Sequence, residues 1–588
     1  MNISTQFIED TVQPFTLKST INNLSFSWFD AFIVFITIFV FNVCMGIYFN
    51  YFTRKQSTTS EYLLGGRTMN VIPVVISLVA SHTSANTLLS VPADVYRYGA
   101  AYLLGAISTI ILTVVTIYVY LPVFFNLGIT SVYEYLERRF DSRTRLLASF
   151  LSIVSYILYL PIVIYVPSLA FSAATGVNVH FMAASICGLC IFYSAIGGLR
   201  AVIWTDAVQF MIAILAVSLI CMMGLQSTGG FSVVWRKAID SKRLDIFDFD
   251  MDPTKRDTFW SLAVGLTTQR VATVAISQNC MQKFLAVPTF RQSVLTVIYF
   301  GVGTIIIKTI TIFLGLLIYA EYSACDPLSA QKITTDNQLV TYFVMDVSKN
   351  IPGLPGLFIA GVFSASLSTL SGDLNCLAGI IYEDFIVKLS NEKISDKRAT
   401  TILQLLVIIC GLICTLMVYF VEHMGGLFSL GYSLSGVTTG AILGMFTMGI
   451  FYPGFNAKGA FYGGLCGFIT IACIIFPAQY YQMLGLLNYV SKPTSTKYCN
   501  ALNDTFTVTT TPRILSPSTE LSFIFRISFY YYCLMGTVIT LFFGLVISTA
   551  TRRNNEKFVD RKLISPLGYT LLQNEIKDCS NISMTKQC

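Results

Sequence analysis

Apolar stretches of about 20 residues recur along this chain, and they constrain its fold more than any other feature. A helix needs about that length to cross the hydrocarbon layer of a membrane with its backbone polar groups bonded internally. The sequence therefore predicts an all-α polytopic membrane protein of about thirteen helices, at residues 30–50, 70–90, 99–123, 147–172, 179–196, 202–224, 258–276, 294–320, 355–382, 400–421, 427–452, 459–476 and 522–549.

Lys and Arg residues concentrate in alternate connections between these spans, and positively charged connections are typical of the cytoplasmic side. The predicted inner connections carry Arg54, Lys55, Arg67, Arg138, Arg139, Arg143, Arg145, Arg200, Lys283, Arg291, Lys388, Lys393, Lys397, Arg398 and Lys458. We therefore expect a plasma-membrane protein with an extracellular N-terminal segment, 1–29, and a cytoplasmic tail, 550–588.

Two sequence features on the predicted outer side suggest modification in an oxidising, glycosylating compartment. The sequons at Asn2, Asn23 and Asn503 are candidate glycosylation sites. Cys325 and Cys499 lie in long outer loops, so they are candidates for a disulfide.

Several function classes find no support in the sequence. The net charge of +7 is not gathered into a basic patch, so no nucleic-acid partner is expected. No combination of acid, base and nucleophile stands out in any extramembrane segment, so an enzyme is not expected and neither is a cofactor.

Polar residues interrupt two of the apolar segments. The second segment contains the run Ala80–Thr87, and the seventh contains Gly265 followed by Thr267, Thr268, Gln269 and Arg270. Interrupted segments at corresponding positions of two halves mark the binding site in many transporters. Because these two are five segments apart, we expect a five-plus-five inverted repeat, with halves at 70–224 and 258–452, followed by two helices within 459–549.

The ninth segment is rich in hydroxyl side chains. Ser368 and Thr369 lie about 13 residues from its outer end, roughly 20 Å deep at 1.5 Å per residue, and the break in the second segment lies at a similar depth. Small hydroxyl residues often simply allow membrane helices to pack closely. The matching depth favours a second interpretation, in which hydroxyls and unwound carbonyls replace the hydration shell of a small cation such as sodium.

Ordered motifs along the chain resemble those of the solute:sodium symporter family, in particular its branch of multivitamin, monocarboxylate and iodide transporters. The motifs are EYLLGGR (61–67), SVPADVYRYG (90–99), SVYEYLERRF (131–140), GGLRAVIWTDAVQ (197–209), IPGLPGLFIAGVFSASLST (351–369) and YEDF (382–385). The resemblance implies the thirteen-helix fold, alternating access and Na⁺ as the coupling ion.

The resemblance also implies site residues. The family's sodium site falls on the carbonyls of Ala80, Thr83 and Ala365 and the hydroxyls of Ser368 and Thr369. Asp206 and Gln209 match a TDxxQ motif in which the acid supports sodium coupling, and Gln278 matches a glutamine-bearing stretch below the substrate cavity.

Ionisable residues inside the membrane depart from the family pattern, and such residues mark function by default. Arg270 stands where the branch usually has an aromatic residue, and Asp373 where it has a small hydroxyl residue. Arg270 could bind a substrate carboxylate through its two-pronged fork or form an internal ion pair with Asp373. His82 could be hydrogen-bonded structure or a proton relay, and Thr87 is a further candidate for the cavity wall.

These observations predict a sodium-coupled symporter that imports a small organic anion, either a monocarboxylate or a vitamin-like acid, by alternating access. Its expected partners are that solute, Na⁺ and the lipid bilayer. Two different functions stay open: a sodium-independent or proton-coupled carrier of a small solute, and a non-transporting nutrient sensor on the same scaffold.

Overall fold

The computed structural model describes residues 27–40, 44, 65–129, 131–349, 351–389, 395–424, 426–487, 489–496, 499, 521–551 and 560–568. Across these ranges the chain forms helices and connecting loops, with no β-strand. The three candidate sequons at Asn2, Asn23 and Asn503 lie outside the described residues.

The helices in chain order are α1 (Trp28–Phe35), α2 (Val71–Ser81), α3 (Ala85–Tyr98), α4 (Ala100–Leu127), α5 (Glu134–Arg139), α6 (Ser142–Thr175), α7 (Val179–Thr228), α8 (Phe231–Asp240), α9 (261–275), α10 (Gln278–Phe284), α11 (Phe290–Tyr322), α12 (Leu339–Val347), α13 (Leu354–Leu389), α14 (Asp396–Val421), α15 (Leu427–Phe451), α16 (Ala457–Met483) and α17 (Phe529–Ala550). A π-helical turn, Ile36–Val40, continues α1, and short 3₁₀ turns lie at Gly65–Arg67, Asp336–Gln338, Phe523–Arg526 and Arg561–Leu563.

Nine helical stretches of the described chain are long and apolar enough to cross a membrane. They are α4, α6, the Val202–Thr228 part of α7, α11 and α13 to α17. The bent pair α2 and α3 adds a tenth candidate span. The chain is therefore a multi-pass membrane protein, while the total of thirteen spans stays a prediction.

The second segment is broken where the polar run predicted. Helix α2 ends at Ser81, α3 begins at Ala85, and the two axes are bent by 54°. The Thr83 hydroxyl donates to the Val79 carbonyl at 2.7 Å, and the Thr83 amide donates to the Ala80 carbonyl at 3.0 Å. Local hydrogen bonds of this kind compete with continuation of the helix.

The seventh segment is also broken, but later than the sequence analysis placed the interruption. Residues 265–270 are helical, and the Thr268 hydroxyl donates to the Val264 carbonyl at 2.9 Å within the helix. Gly265 permits close packing instead, since a Cβ there would lie 2.7 Å from the Tyr530 carbonyl oxygen. The break falls at Ile276, where the backbone leaves the helical conformation, and at Ser277, where it is extended, between α9 and α10.

The predicted fifth and sixth spans are not separated by a loop. Helix α7 runs through 50 residues, and its two apolar parts are Val179–Ala195 and Val202–Thr228. The connection expected between 196 and 202 is therefore helical.

Helices α13 and α15 lie at the centre of the bundle, with 94% and 83% of their apolar windows buried, against 33% for α14 and α17. Helix α13 packs on α6, α7 and the broken pair α2 and α3. Because a central helix is shielded from lipid by its neighbours, it can carry the buried serines, threonine and aspartate of residues 364–373.

Three loops meet at the end of the bundle that the sequence analysis assigned to the outside. The structure joins Cys325 and Cys499 by a disulfide. Next to it, the Asp326 amide donates to the Ser495 carbonyl at 2.9 Å, and Arg243 Nη2 donates to the Pro493 carbonyl at 3.3 Å. These contacts bind the loops after α8, α11 and α16 to one another.

Candidate functional site

A cavity of about 250 Å³ lies where the two broken segments meet. This volume is below the ~300–1,000 Å³ of pockets that hold drug-sized ligands, so the cavity suits a small solute. Its wall includes His82, Thr87, Arg270, Asp373 and Thr369, all of which the sequence analysis singled out.

Two cations converge on one phenol in this wall. Arg270 Nη2 donates to the Tyr102 hydroxyl oxygen at 3.3 Å, and Lys308 Nζ donates to the same oxygen at 2.9 Å. The Tyr102 hydroxyl is also 2.7 Å from that of Tyr432. Tyr102 is thus the partner of Lys308, which the sequence could not identify.

The two cations repel each other at this separation. Because both nitrogens reach the same oxygen, they are no more than roughly 6 Å apart, and two unit charges repel by about 3 kcal/mol there at an effective dielectric of about 20. Among the described residues neither cation forms a salt bridge, although Arg270 is only 7% exposed. An anion in the cavity would relieve this repulsion.

Arg270 keeps hydrogen-bonding capacity in reserve. Its Nη1 donates to the Thr109 hydroxyl at 2.8 Å, whereas its buried Nε has no partner among the described residues. The neighbouring Gly105 leaves room for the guanidinium, since a Cβ there would lie 3.3 Å from Nη2. A buried donor without a partner is costly, so the site favours a ligand that accepts from it.

Asp373 does not form the ion pair with Arg270 that was considered from the sequence. Its Oδ1 accepts from Asn279 Nδ2 at 2.7 Å, on the far side of the cavity. The room for Asn279 comes from Gly372, because a Cβ at that glycine would lie 3.2 Å from Nδ2. The cavity therefore has a cationic side at Tyr102 and an acceptor side at Asp373.

His82 and Thr87 stand at the break between α2 and α3. The His82 ring nitrogen Nε2 is 2.9 Å from Cys280 Sγ, and the ring packs 5.2 Å from that of Phe300. The Thr87 amide donates to the Ser84 carbonyl at 2.9 Å, in the first turn of α3. His82 thereby connects the first break to α10, which follows the second.

Two residues of the expected sodium site, Thr369 and Ala365, meet at the contact between this break and α13. The Thr369 hydroxyl lies 3.1 Å from the Ser81 carbonyl, in place of the expected Ala80 and Thr83 carbonyls, and 3.2 Å from the Ala365 carbonyl. Ser368 is fully buried, and its hydroxyl lies beside the Asp206 carboxylate. The donor set is all oxygen, which suits a hard cation.

A buried ion pair joins both breaks beside this junction. Lys283 Nζ, in α10, is 3.1 Å from Asp206 Oδ2, in α7, and both side chains are 0% exposed. Lys283 also donates to the hydroxyls of Ser77 at 2.9 Å and Ser81 at 2.6 Å, both in α2. The sequence analysis counted Lys283 among the charges of an inner connection; the structure places it in α10, where it is buried against Asp206.

The two glutamines of the expected site are buried away from the cavity. The side-chain oxygen Oε1 of Gln278 accepts from the Val132 backbone amide at 2.7 Å, which attaches the start of α10 to the loop before α5. Gln209 is 0% exposed in α7, one turn after Asp206. Neither residue lines the cavity.

Arg145, also counted among the inner-connection charges, is another buried ion-pair member. Its guanidinium pairs with Asp384 near the C-terminal end of α13, and its Nη1 is 2.6 Å from Glu137 Oε2. Lys388 Nζ reaches the other oxygen of Glu137 at 2.7 Å. This network fastens the C-terminal end of α13 to α5 and α6.

An aromatic cap lies over the end of the cavity that the sequence analysis predicts to face outside. The guanidinium carbon of Arg256 lies 3.8 Å from the ring centre of Tyr98, with Phe428, Tyr489 and Phe529 between 5.5 and 5.9 Å. Phe428 also lines the cavity, so the cap forms its roof.

Two carboxylates hold Arg256 inside this cap. Arg256 pairs with Asp94 of α3 and with Asp257, the latter at 3.1 Å. Burial lowers the pKa of Arg256, but the two carboxylates outweigh this effect and raise it above its usual value. Arg256 is therefore a fixed cation.

Tyr102, Asn279 and the cap escaped the sequence analysis. Tyr102 and Asn279 are ordinary polar residues in segments that read as helical, and their importance comes from the charged side chains that the fold brings beside them. The cap joins residues far apart in the chain, so no local pattern could have predicted it.

Known proteins resemble this chain in sequence over most of its length. The family model described as the Sodium:solute symporter family matches residues 62–467. Sodium-coupled monocarboxylate transporter 2 of Mus musculus is 37% identical over 541 residues, covering 91% of this chain and 86% of that protein. A putative sodium-dependent multivitamin transporter of Drosophila melanogaster is 33% identical over 516 residues, covering 87% of this chain and 85% of that protein.

Solved structures include one with the same architecture. A Na⁺-coupled sialic acid symporter, in a substrate-bound outward-open state, aligns with a TM-score of 0.73 at 22% identity, covering 91% of this chain and 100% of that chain. This likeness confirms the predicted fold class, with its broken second and seventh segments.

Proposed function

Since the chain belongs to the sodium:solute symporter family, we propose that it imports a small organic anion, a monocarboxylate or a vitamin-like acid, by sodium-coupled alternating access. Family membership makes it a membrane transporter and not an enzyme. The proposal places it in the plasma membrane with the N-terminus outside and the C-terminus inside.

The observation that carries the proposal is the pair of cations around Tyr102. A cavity within the bundle that holds Arg270 and Lys308 without a salt bridge among the described residues favours an anion over a neutral sugar or a cation. The Arg270 fork binds the substrate carboxylate, because a guanidinium matches carboxylate geometry with two parallel hydrogen bonds.

Sodium binds, in this proposal, to the carbonyls of Ala80, Thr83 and Ala365 and the hydroxyls of Ser368 and Thr369. Support comes from the Thr369 hydroxyl, which already contacts the broken helix, and from the fully buried Ser368 hydroxyl, which lies beside the Asp206 carboxylate. A cation held there would order the break that also carries cavity residues His82 and Thr87.

Coupling follows from this shared element. Sodium stabilises one arrangement of the break between α2 and α3, and that arrangement presents the cavity wall to the anion. Each ligand therefore raises the affinity for the other, as linkage requires. The pair of Lys283 and Asp206 fastens α2 to α7 and α10, so the two broken segments move together.

The test is uptake of labelled monocarboxylates, biotin and pantothenate by cells that express the full chain, with external sodium or with choline in its place. We expect uptake in the sodium medium and none in the choline medium. Equal uptake in both media would remove sodium coupling, and no uptake of any solute would favour a sensor.

A matched pair of serine variants locates the sodium site. Ser368→Ala removes a proposed ligand, so the sodium concentration for half-maximal uptake should rise at least tenfold. Ser366→Ala is the control, because its hydroxyl donates to the Val163 carbonyl at 3.1 Å on another helix. A similar change in both variants would contradict the assignment.

A proton-coupled carrier is the second candidate, and the position of His82 in the break favours it over a passive carrier. In that case uptake would rise as external pH falls and would persist in choline. His82→Gln would abolish the pH response, whereas the sodium response of the first candidate would survive this change.

A further inference from the structure

The cationic side of the cavity holds more positive charge than a single carboxylate balances. Arg270 and Lys308 share the Tyr102 oxygen, and Asp373 is hydrogen-bonded to Asn279 instead of either cation. The only other charged pair at the junction that we describe, Lys283 with Asp206, is internally neutral.

We propose that the transported anion carries two acidic groups on a short chain, one for Arg270 and one for Lys308. This inference rests on the proposed sodium-coupled import of a small organic anion, but it replaces the monocarboxylate of that proposal with a small dicarboxylate of about three to five carbons as the preferred substrate. The first carboxylate meets the Arg270 fork, and the second meets the Lys308 ammonium.

The positions of the two cations set the length of the ligand. Lys308 Nζ lies 2.9 Å and Arg270 Nη2 lies 3.3 Å from the same oxygen, so two carboxylates a few bonds apart reach both. Tyr102 is held in place by Tyr432 at 2.7 Å and by Phe428, whose ring is 5.6 Å away edge to face. The fixed position of Tyr102 therefore limits the distance between the Arg270 and Lys308 nitrogens.

Charge balance leads to the same ligand class. Arg270, Lys308 and Asp373 together contribute one net positive charge to the cavity, and one bound sodium ion would raise this to two. A dianion neutralises that total, whereas a monoanion leaves one positive charge in a low-dielectric site, where uncompensated charge is unfavourable.

Succinate and butyrate form a matched pair of probes, because they have the same carbon number and differ in one carboxylate. In sodium medium, cells that express the full chain receive labelled succinate or labelled butyrate, and each unlabelled acid is used as competitor. We expect half-inhibition by succinate at a concentration at least tenfold below that of butyrate.

Lys308→Met should reduce this preference at least tenfold, since a hydrogen bond to a charged group is lost for the dianion alone. Lys308→Arg keeps the charge and should keep the preference. Surface labelling of Lys308→Met shows that the variant is folded and reaches the membrane, and the ratio of the two uptakes, which does not depend on the amount of protein, reports on specificity.

Three results would overturn the inference. If succinate and butyrate compete equally in the parent protein while butyrate uptake needs sodium, the dicarboxylate assignment fails and the proposed function stands. If butyrate uptake requires external chloride and succinate does not compete, chloride neutralises Lys308 and the assignment again fails. If no organic anion is taken up, the proposed function itself fails.

Discussion

Removal of Lys283 should destabilise the protein through the carboxylate it leaves behind. Asp206 and Lys283 are 3.1 Å apart and both 0% exposed, so Lys283→Met strands a buried negative charge. Breaking a buried pair from one side costs about 3–5 kcal/mol, because the remaining charge has lost its compensation. The two serine hydroxyls that now contact Lys283 cannot replace a cation.

The expected shift in melting temperature is modest because the chain is long. Unfolding entropy grows with the number of residues, so a loss of this size in 588 residues lowers Tm by about 2–4 °C. Asp206→Asn should give a similar loss, and the double variant should recover more than half of it, because neither charge then remains buried. The assay is thermal unfolding of the purified protein in detergent at fixed pH and salt.

An exposed pair provides the control. Lys255 Nζ is 2.7 Å from Asp250 Oδ2, but the two side chains are 48% and 43% exposed. Exposed pairs contribute about 0–1 kcal/mol, so Lys255→Met should leave Tm within about 1 °C of the parent. If Lys283→Met behaves like this control, or if the double variant is less stable than both single variants, the reasoning is refuted.

Two further predictions concern the ends of the transport path. Burial raises the pKa of Glu137, but hydrogen bonds from Lys388 and Arg145 outweigh it and hold this pKa below its usual value. Glu137 should therefore stabilise the protein at pH 7 and lose that effect as the pH falls through its lowered pKa, so the melting temperatures of Glu137→Gln and the parent should converge in acid. At the predicted outer end, Arg256→Lys should weaken the cap over the cavity. When it is added to a Thr87→Cys variant, a membrane-impermeant thiol reagent should label Cys at position 87 severalfold faster from outside. An unchanged labelling rate would contradict a cap that closes the cavity.

The sequence predicted the architecture because its strongest signals are local. Apolar length predicted the membrane helices, and the polar run at 80–87 predicted the break in the second segment, since lipid tolerates such residues only inside protein. The second break was misplaced because Thr267 and Thr268 bond to carbonyls one turn earlier, which hydropathy cannot distinguish from unwinding.

The site was harder to predict because its chemistry depends on pairings between distant segments. Arg270 and Asp373 were both identified as unusual, yet no local pattern decides that one faces Tyr102 and the other Asn279. From its sequence position Lys283 was used as evidence for the orientation of the chain, because its partner Asp206 lies 77 positions earlier and no local pattern connects the two. The residue types indicated which positions were unusual, but only the fold shows which side chains contact one another.

The roof over the cavity has a consequence for the energy of the transport cycle. If the chain opens at this end, as the proposed alternating access requires, it must separate a buried guanidinium from Asp94 and Asp257 and expose the ring face of Tyr98. A ligand shifts such an equilibrium only by its difference in affinity for the two states, and reversing a 1:99 population takes about 5.5 kcal/mol. Without ligand, the protein would then seldom expose its binding cavity to the exterior, which limits movement of solute without sodium. The return of the unloaded protein would then be the slowest step of the transport cycle.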